Sequence, residues 1–344
     1  MKSISLRDHS PLSAGKVSIT TMHIRNTALI DKLSATIPIH ISHWYKSSDN
    51  LLALLDDPSG CFTQTPRDYD WHHRELLYHF AMTIRLSSSV GTWSCFLQFA
   101  PRFTNAAFLR LEITPSKTPK NALHIIFSLL ERLIPTFWIG WTNAKITRMD
   151  IAVDLLHLHI SELLVFSDSA ATEQIDDYWP NFYLGSKLSN NRVAVYDKCL
   201  EENRNRRGRK AMSNSGEQKT RVEFRFKDLG SISNIFIKPA GLDRFHIALN
   251  TEMLRYPHHR AWRTFLSNCK LHGVQTVLQS MKRRKRTEFR QMLKRRINPT
   301  FLNKDDIWQE CQASLQAILP IPPTTKRLSR NSVRAHGQNY QKPY

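Results

Sequence analysis

Four segments of this chain place charged or phenolic side chains on one parity, interrupted by Ala152 and Ala194: Phe108–Thr114 (FLRLEIT), Ile146–Leu155 (ITRMDIAVDL), Arg192–Lys198 (RVAVYDK) and Thr220–Lys227 (TRVEFRFK). Successive side chains of a strand point to opposite faces. One face therefore collects Arg110 and Glu112; Arg148, Asp150 and Asp154; Arg192, Tyr196 and Lys198; and Arg221, Glu223, Arg225 and Lys227. The other face is apolar, with Leu109, Leu111, Met149, Ile151, Val153, Val193, Val195, Val222, Phe224 and Phe226. Carboxylates, cations and a phenol in such number are costly to bury and useful in a groove. Asp150 and Asp154 stand ~13 Å apart at ~3.3 Å per residue, too far for one ion to take both. One Asp joined by Glu223 or Glu112 from a neighbouring strand is the workable set, and oxygen-only donors suit Mg2+ or Mn2+ rather than zinc. An antiparallel sheet with one face in water shows the same alternation, and its exposed acid–base pairs add little to stability.

The remaining pattern supplies the elements that hold these strands. Ala28–Ile39 alternates with period two from Leu33 onward and reads as a first strand, and Thr92–Phe99 (TWSCFLQF) as another. Ser48–Asp57 reads as a short helix stopped by Pro58-Ser59-Gly60. Asn121 is the expected N-cap of a helix whose apolar residues (Ala122, Ile125, Ile126, Leu129, Leu130, Leu133) recur at helical spacing before Pro135. Asn181–Gly185 and Arg192–Lys198 form a hairpin across the turn-rich Ser186–Asn191. Ser231–Leu249 has no single period. From Ala261 the spacing is helical, with Leu271, Val274, Val277, Leu278 and Met281 expected on one face. The fold class expected is α+β: a largely antiparallel central sheet with helices on one face, plus a C-terminal basic helical unit. Its expected divisions are a flexible arm at 1–27, a main domain at 28–255, a basic helical region at 256–319 and a disordered basic tail at 320–344.

The 344 residues suffice for a sizeable core, and the composition excludes a peptide scaffold or wholesale disorder. Lys and Arg number 49 against 29 Asp and Glu, a net charge of +20, which makes nucleic acid the leading partner. The charge is concentrated: Lys270–Arg296 holds Lys282, Arg283, Arg284, Lys285 and Arg286 in succession, then Arg290, Lys294, Arg295 and Arg296, with Glu288 the sole acid. So one-signed a run is suited to phosphates rather than to salt bridges along a helix. The 5 cysteines contain no CxxC pair, which argues against a zinc module and a disulfide framework. No apolar run reaches membrane-spanning length, and the first 27 residues lack a signal-peptide core, so a cytoplasmic protein without a membrane partner is expected.

Three of these segments, Arg148–Asp154 (RMDIAVD), Phe182–Lys198 (FYLGSKLSNNRVAVYDK) and Arg221–Phe226 (RVEFRF), together resemble the trans-acting rolling-circle replication initiators of small plasmids and filamentous phages. That family's pattern runs R-x-D-x-A-x-D, then Y-x-G-S…Y-[DN]-K, then R-x-E. Leu109–Lys117 (LRLEITPSK) resembles the family's L-R-x-E-x-N-P-x-K strand with Thr114 in place of Asn, and Cys199 follows YDK where Gly, Lys or another polar residue is usual. The likeness spans roughly 28–296. It implies that Tyr196 is a nucleophile that nicks one strand of an origin, single-stranded or in a hairpin, to leave a 5′-phosphotyrosyl link and a free 3′-OH, and later rejoins the strand. A phenol with a pKa near 10 needs a cation for this at neutral pH. By the resemblance Asp150, Asp154, Glu223 and Glu112 are metal candidates for Mg2+ or Mn2+, and Lys198 serves the Tyr196 phenol or the phosphate. Arg148, Arg192, Arg221 and Arg225 position the DNA backbone. The insert Leu200–Lys219 adds Arg204, Arg206 and Arg207, and origin specificity falls to the C-terminal part. A host helicase and a homodimer are the partners the family implies.

The competing reading is a non-catalytic, sequence-specific DNA-binding repressor or copy-control protein derived from such an initiator. Asp150, Asp154, Tyr196 and Glu223 weigh against it, because a pure binder has no need of carboxylates on a DNA-facing surface. His157-Leu158-His159 matches the His-hydrophobic-His metal motif of another nicking class, but its parity is that of Ile151 and Val153, and no YxxK helix follows. A tyrosine recombinase would need a helical Arg-His-Arg-Tyr set that is not present.

Overall fold

Alternation of apolar and polar side chains becomes, in space, a sheet with one dry face. The computed structural model describes residues 27–56, 59, 61–64, 69–70, 75–76, 78–88, 91–101, 107–119, 121–168, 173–176, 181–205, 218–250, 260–295, 297 and 301–319. The strands are β1 (Thr27–Pro38), β2 (Phe62–Gln64), β3 (Tyr69–Asp70), β4 (Glu75–Leu76), β5 (Tyr78–Ser88), β6 (Gly91–Pro101), β7 (Phe108–Ile113), β8 (Lys145–Leu156), β9 (Leu163–Ser167), β10 (Glu173–Asp176), β11 (Asn181–Leu184), β12 (Asn191–Asp197), β13 (Lys219–Ser231) and β14 (Phe245–Leu249). The α-helices are α1 (Ile41–Ala53), α2 (Ala122–Leu133), α3 (Phe137–Thr142), α4 (Lys198–Asn205), α5 (Arg260–His272), α6 (Val274–Ser280), α7 (Arg283–Arg295) and α8 (Lys304–Ile318). The fold is α+β. A 10-stranded sheet in the order β10-β11-β12-β13-β8-β1-β7-β6-β5-β2 dominates it, and each pairing is antiparallel.

The dry face is the main core. Ile151, Val153, Val222, Phe224, Phe226, Val193 and Val195 are fully buried there against Leu123, Ile126, Phe127 and Leu130 of α2 and Ile307, Trp308, Cys311 and Leu315 of α8. Helix α8 thus belongs to the main core, although its sequence lies among the basic C-terminal helices. The small β9–β14 sheet divides its side chains by parity. Leu163, Val165, Phe245 and Ile247 join the main core, whereas Leu164, Phe166 and Ala248 join a second core with Trp262, Phe265, Leu266, Phe289 and Leu293 of α5 and α7. One two-stranded sheet therefore serves both cores.

Several boundaries differ from the sequence reading. The first helix starts at Ile41, because His40 Nδ1 accepts from the Ser42 amide at 3.3 Å and caps it. Asn121 precedes α2 in a helical conformation without a side-chain cap. The expected continuous helical face from Leu271 to Met281 is broken by Gly273, whose φ of 81° lies in the left-handed region, and Leu271 is left 71% exposed. Ser231–Leu249 resolves into short 3-10 turns at Ile232–Asn234 and Leu242–Arg244 followed by β14. The tail at 320–344, the arm apart from Thr27, and Arg206 and Arg207 lie outside the described residues, as does the side chain of Arg204.

Candidate active site

Strand register aligns the polar face in rows. Tyr196 on β12 stands opposite Arg221 on β13, which stands opposite Asp154 on β8. The next row is Ala194, Glu223 and Ala152, and the next Arg192, Arg225, Asp150 and, on β1, Lys32. Alanines on both sides of Glu223 leave room around its carboxylate. A register shift between Ile30 and Lys32 makes Asp31 the extra residue of a bulge. Strict alternation would send Asp31 and Lys32 to opposite faces. The bulge brings both to this one: Asp31 accepts from Arg221 Nη1 at 3.1 Å, and Lys32 donates to Glu112 at 2.7 Å.

The Tyr196 hydroxyl donates to Glu223 Oε2 at 3.1 Å. Arg225 holds Glu223 with two bonds, Nε to Oε1 at 2.8 Å and Nη2 to Oε2 at 3.1 Å. Arg148 grips Asp150 in the same forked manner, with Nη2 to Oδ2 at 2.6 Å. Asp150 is 1% exposed and Glu223 4%, so both carboxylates form a floor beneath partly exposed guanidiniums. Burial pushes the Asp150 carboxyl up to about 6, with the negative Glu223 adding to the rise and Arg148 opposing it. Burial would also raise Glu223, but the Arg225 guanidinium and bonds from Asp150 and Tyr196 hold it below the usual carboxylate range. The two neighbouring acids are driven apart in this way: as pH falls, Asp150 takes up a proton before Glu223 does. The Tyr196 phenol lies well above its ordinary pKa through burial and the Glu223 charge.

The other sequence candidates stand apart from this pair. Asp154 is held by Arg221 through Nε at 2.6 Å and Nη2 at 2.8 Å, and Arg221 is itself 6% exposed. Glu112 receives bonds from Lys32, from Ser34 at 3.0 Å and from Arg110 at 2.9 Å, and these cations hold it low against the effect of burial. Among the described residues no three His, Cys, Asp or Glu side chains converge as a metal site. The carboxylates that adjoin each other are Asp150 and Glu223 alone of the four candidates. Lys198 begins α4 instead of continuing β12; its ammonium lies 5.9 Å from the centre of the Tyr196 ring and is paired with Glu201. Arg148, Arg221 and Arg225 are each engaged by carboxylates, whereas Arg192 lies over the Tyr183 ring.

In the basic helix region Lys282, Arg283, Arg284 and Lys285 are exposed. Arg286 is spent internally, donating to the carbonyls of Leu278, Gln279 and Met281 at 2.9 Å each, so it closes the end of α6. His157 sits in an exposed turn after β8 ends, and His159 bonds Ser161, so the His-hydrophobic-His segment is no part of the polar face. An apolar cavity of about 220 Å³ lined by Phe182, Val195, Leu163, Val165 and Cys269 lies behind β12, since Phe182 and Val195 have the parity opposite to Tyr196. Asp31, with Leu33, fits the first strand of the resembled family loosely in sequence, whereas Lys32, Ser34 and Tyr183 were not expected in the network. Their signal was the break in alternation at Asp31-Lys32 and the register of Tyr183 opposite Ala194.

No helix among the described residues is long and apolar enough to cross a membrane. No family model and no curated protein matches the chain. Among solved structures, it is similar to a rolling circle replication initiator protein from Geobacillus stearothermophilus, at 14% identity and a TM-score of 0.33, over 73% of this chain and 99% of that one. So loose a superposition carries no functional argument, and the site must be judged on its own chemistry.

Proposed function

We propose that the chain is a DNA strand-transferase: a metal-dependent initiator of rolling-circle replication that nicks and rejoins one strand of a plasmid or phage origin through Tyr196. The observation that carries this reading is the 3.1 Å bond from the Tyr196 hydroxyl to Glu223, beside Asp150, with Arg225 and Arg148 holding the two carboxylates. In the reaction, Tyr196 Oη forms a bond to phosphorus as its proton passes to Glu223. The P–O3′ bond breaks, and the 3′ oxygen leaves with a proton from solvent. Rejoining reverses these steps, with the 3′-OH attacking the phosphotyrosine.

Asp150 and Glu223 fit Mg2+ or Mn2+ in kind, being adjacent hard carboxylates whose mutual repulsion a cation would relieve. They, rather than Asp154 or Glu112, would hold the ion. When bound it would offset charge on the phenolate and the scissile phosphate. Arg225 and Arg148 orient the two carboxylates, Arg221 ties β13 to β8 and β1, and Lys282–Lys285 contact phosphates outside the site.

The test is a labelled single-stranded origin oligonucleotide incubated with protein and Mn2+ and run on a denaturing gel. A retarded covalent band that disappears in Tyr196→Phe supports the proposal. Specific binding without an adduct under any divalent ion supports instead the repressor reading, which the lack of a three-carboxylate cluster among the described residues favours.

A further inference from the structure

Of the guanidiniums on the polar face near Tyr196, Arg148, Arg221 and Arg225 are each neutralised by a carboxylate. Arg192 is not. Its Cζ lies 4.2 Å from the centre of the Tyr183 ring, and its Nε is shielded from solvent without a hydrogen-bond partner. Its cross-strand neighbour is a second cation, Arg225, and that charge together with burial lowers its pKa. A shielded donor beside a like charge is costly unless an anion completes it.

Tyr183 determines where this guanidinium sits. The ring stands on the polar face opposite Ala194, whose methyl leaves the space between Tyr183 and Glu223 open. Asn181 is the direct partner of Tyr196, which makes Tyr183 its diagonal neighbour, ~7–8 Å away between Cα atoms. Arg192 and Tyr196 are the two diagonal neighbours of Tyr183, so the guanidinium drawn over that ring is displaced from its own row toward that of Tyr196.

We propose that Arg192, stacked on Tyr183, is an anion subsite that takes a non-bridging oxygen of the single-stranded phosphodiester presented to Tyr196. Tyr183 is its positioning residue. This deepens the strand-transfer reading and rests on it for the identity of the phosphodiester. The stacking uses the π face of Tyr183, so the ring is required and the hydroxyl is dispensable.

The experiment separates binding from cleavage by placing every variant in a Tyr196→Phe background and titrating a fluorescein-labelled oligothymidylate by anisotropy at several salt concentrations. Arg192→Ala is expected to weaken binding about tenfold and to make the slope of log K against log[salt] shallower by about 0.7, the loss of one phosphate contact. Arg192→Lys retains charge without the planar stack and recovers only part of the affinity. Tyr183→Phe binds like its parent, Tyr183→Leu reproduces the Arg192→Ala loss and slope, and the double variant is no weaker than either single. Unchanged affinity in Arg192→Ala overturns the proposal. So do equal losses in Tyr183→Phe and Tyr183→Leu, which would make the hydroxyl the acting group, or additive losses, which would make the two residues independent. Absence of a covalent adduct with the wild-type chain, Tyr196 intact, would reject the enzymatic reading while leaving these binding outcomes readable.

Discussion

Asp150 and Glu223 present opposite titration behaviour within one buried pair, and that opposition gives a measurable consequence. The Asp150 carboxyl is pushed up to about 6 from an ordinary 3.8. Between those values the folded chain binds a proton that the unfolded chain has released, so this group makes stability fall as pH rises from about 4 to about 6. Asp150→Asn removes the penalty. It is expected to match wild type near pH 4 and to exceed it above pH 6 by about 1–3 kcal/mol in urea unfolding; equal stability at pH 7.5 would contradict the burial argument. Glu223→Gln leaves the phenol without its proton acceptor and is expected to slow adduct formation by about a hundredfold or more, read in single-turnover assays. Tyr196, Glu223 and Asp150 were legible as a group from parity because each lies in a strand with intact alternation. Asp154 and Glu112 share that parity yet are held in separate ion-pair groups. Strand parity specifies a face, whereas which acid lies beside which is set by register between distant segments.

At the scale of elements, the bulge at Asp31 decides how β1 contributes. It supplies Asp31 to the Arg221–Asp154 pair and Lys32 to Glu112 from consecutive residues. Arg221→Ala leaves two carboxylates without their shared cation and is expected to destabilise the fold by about 3–5 kcal/mol, measured by chemical unfolding. The same logic separates the arginines of the basic run. Arg286→Ala removes the charged cap on α6 and is expected to cost about 1–3 kcal/mol in stability with no change in the salt slope of DNA binding. Arg284→Ala, at an exposed position, should do the reverse. The strand pairs around the hairpin and helix α2 were readable from local period and turn residues. Strand β5, the start of α1 and the break at Gly273 were not, since each depends on partners distant in sequence or on one glycine's left-handed backbone.

At the scale of the whole molecule, the sheet separates two functions by face. Helices α2 and α8 cover the apolar face, and the opposite face carries the acids and phenol at the head of a chain with net charge +20. Phosphate contacts by such a surface give a steep salt dependence: engagement of six phosphates should lower affinity for duplex DNA by about a thousandfold between 50 and 200 mM salt. The basic character and the α+β class were evident in composition and pattern. The membership of α8 in the main core was not, because its apolar spacing alone does not say which sheet it meets.

Attachment of DNA to Tyr196 is read by proteolysis of the covalent product and mass spectrometry of the nucleotide-bearing peptide. A 5′-phosphonucleotide is expected on the peptide that contains Tyr196, and its loss is expected in Tyr196→Phe. A nucleotide on any other residue, Tyr183 included, or DNA binding without a covalent product in Mg2+ or Mn2+, would contradict that attachment.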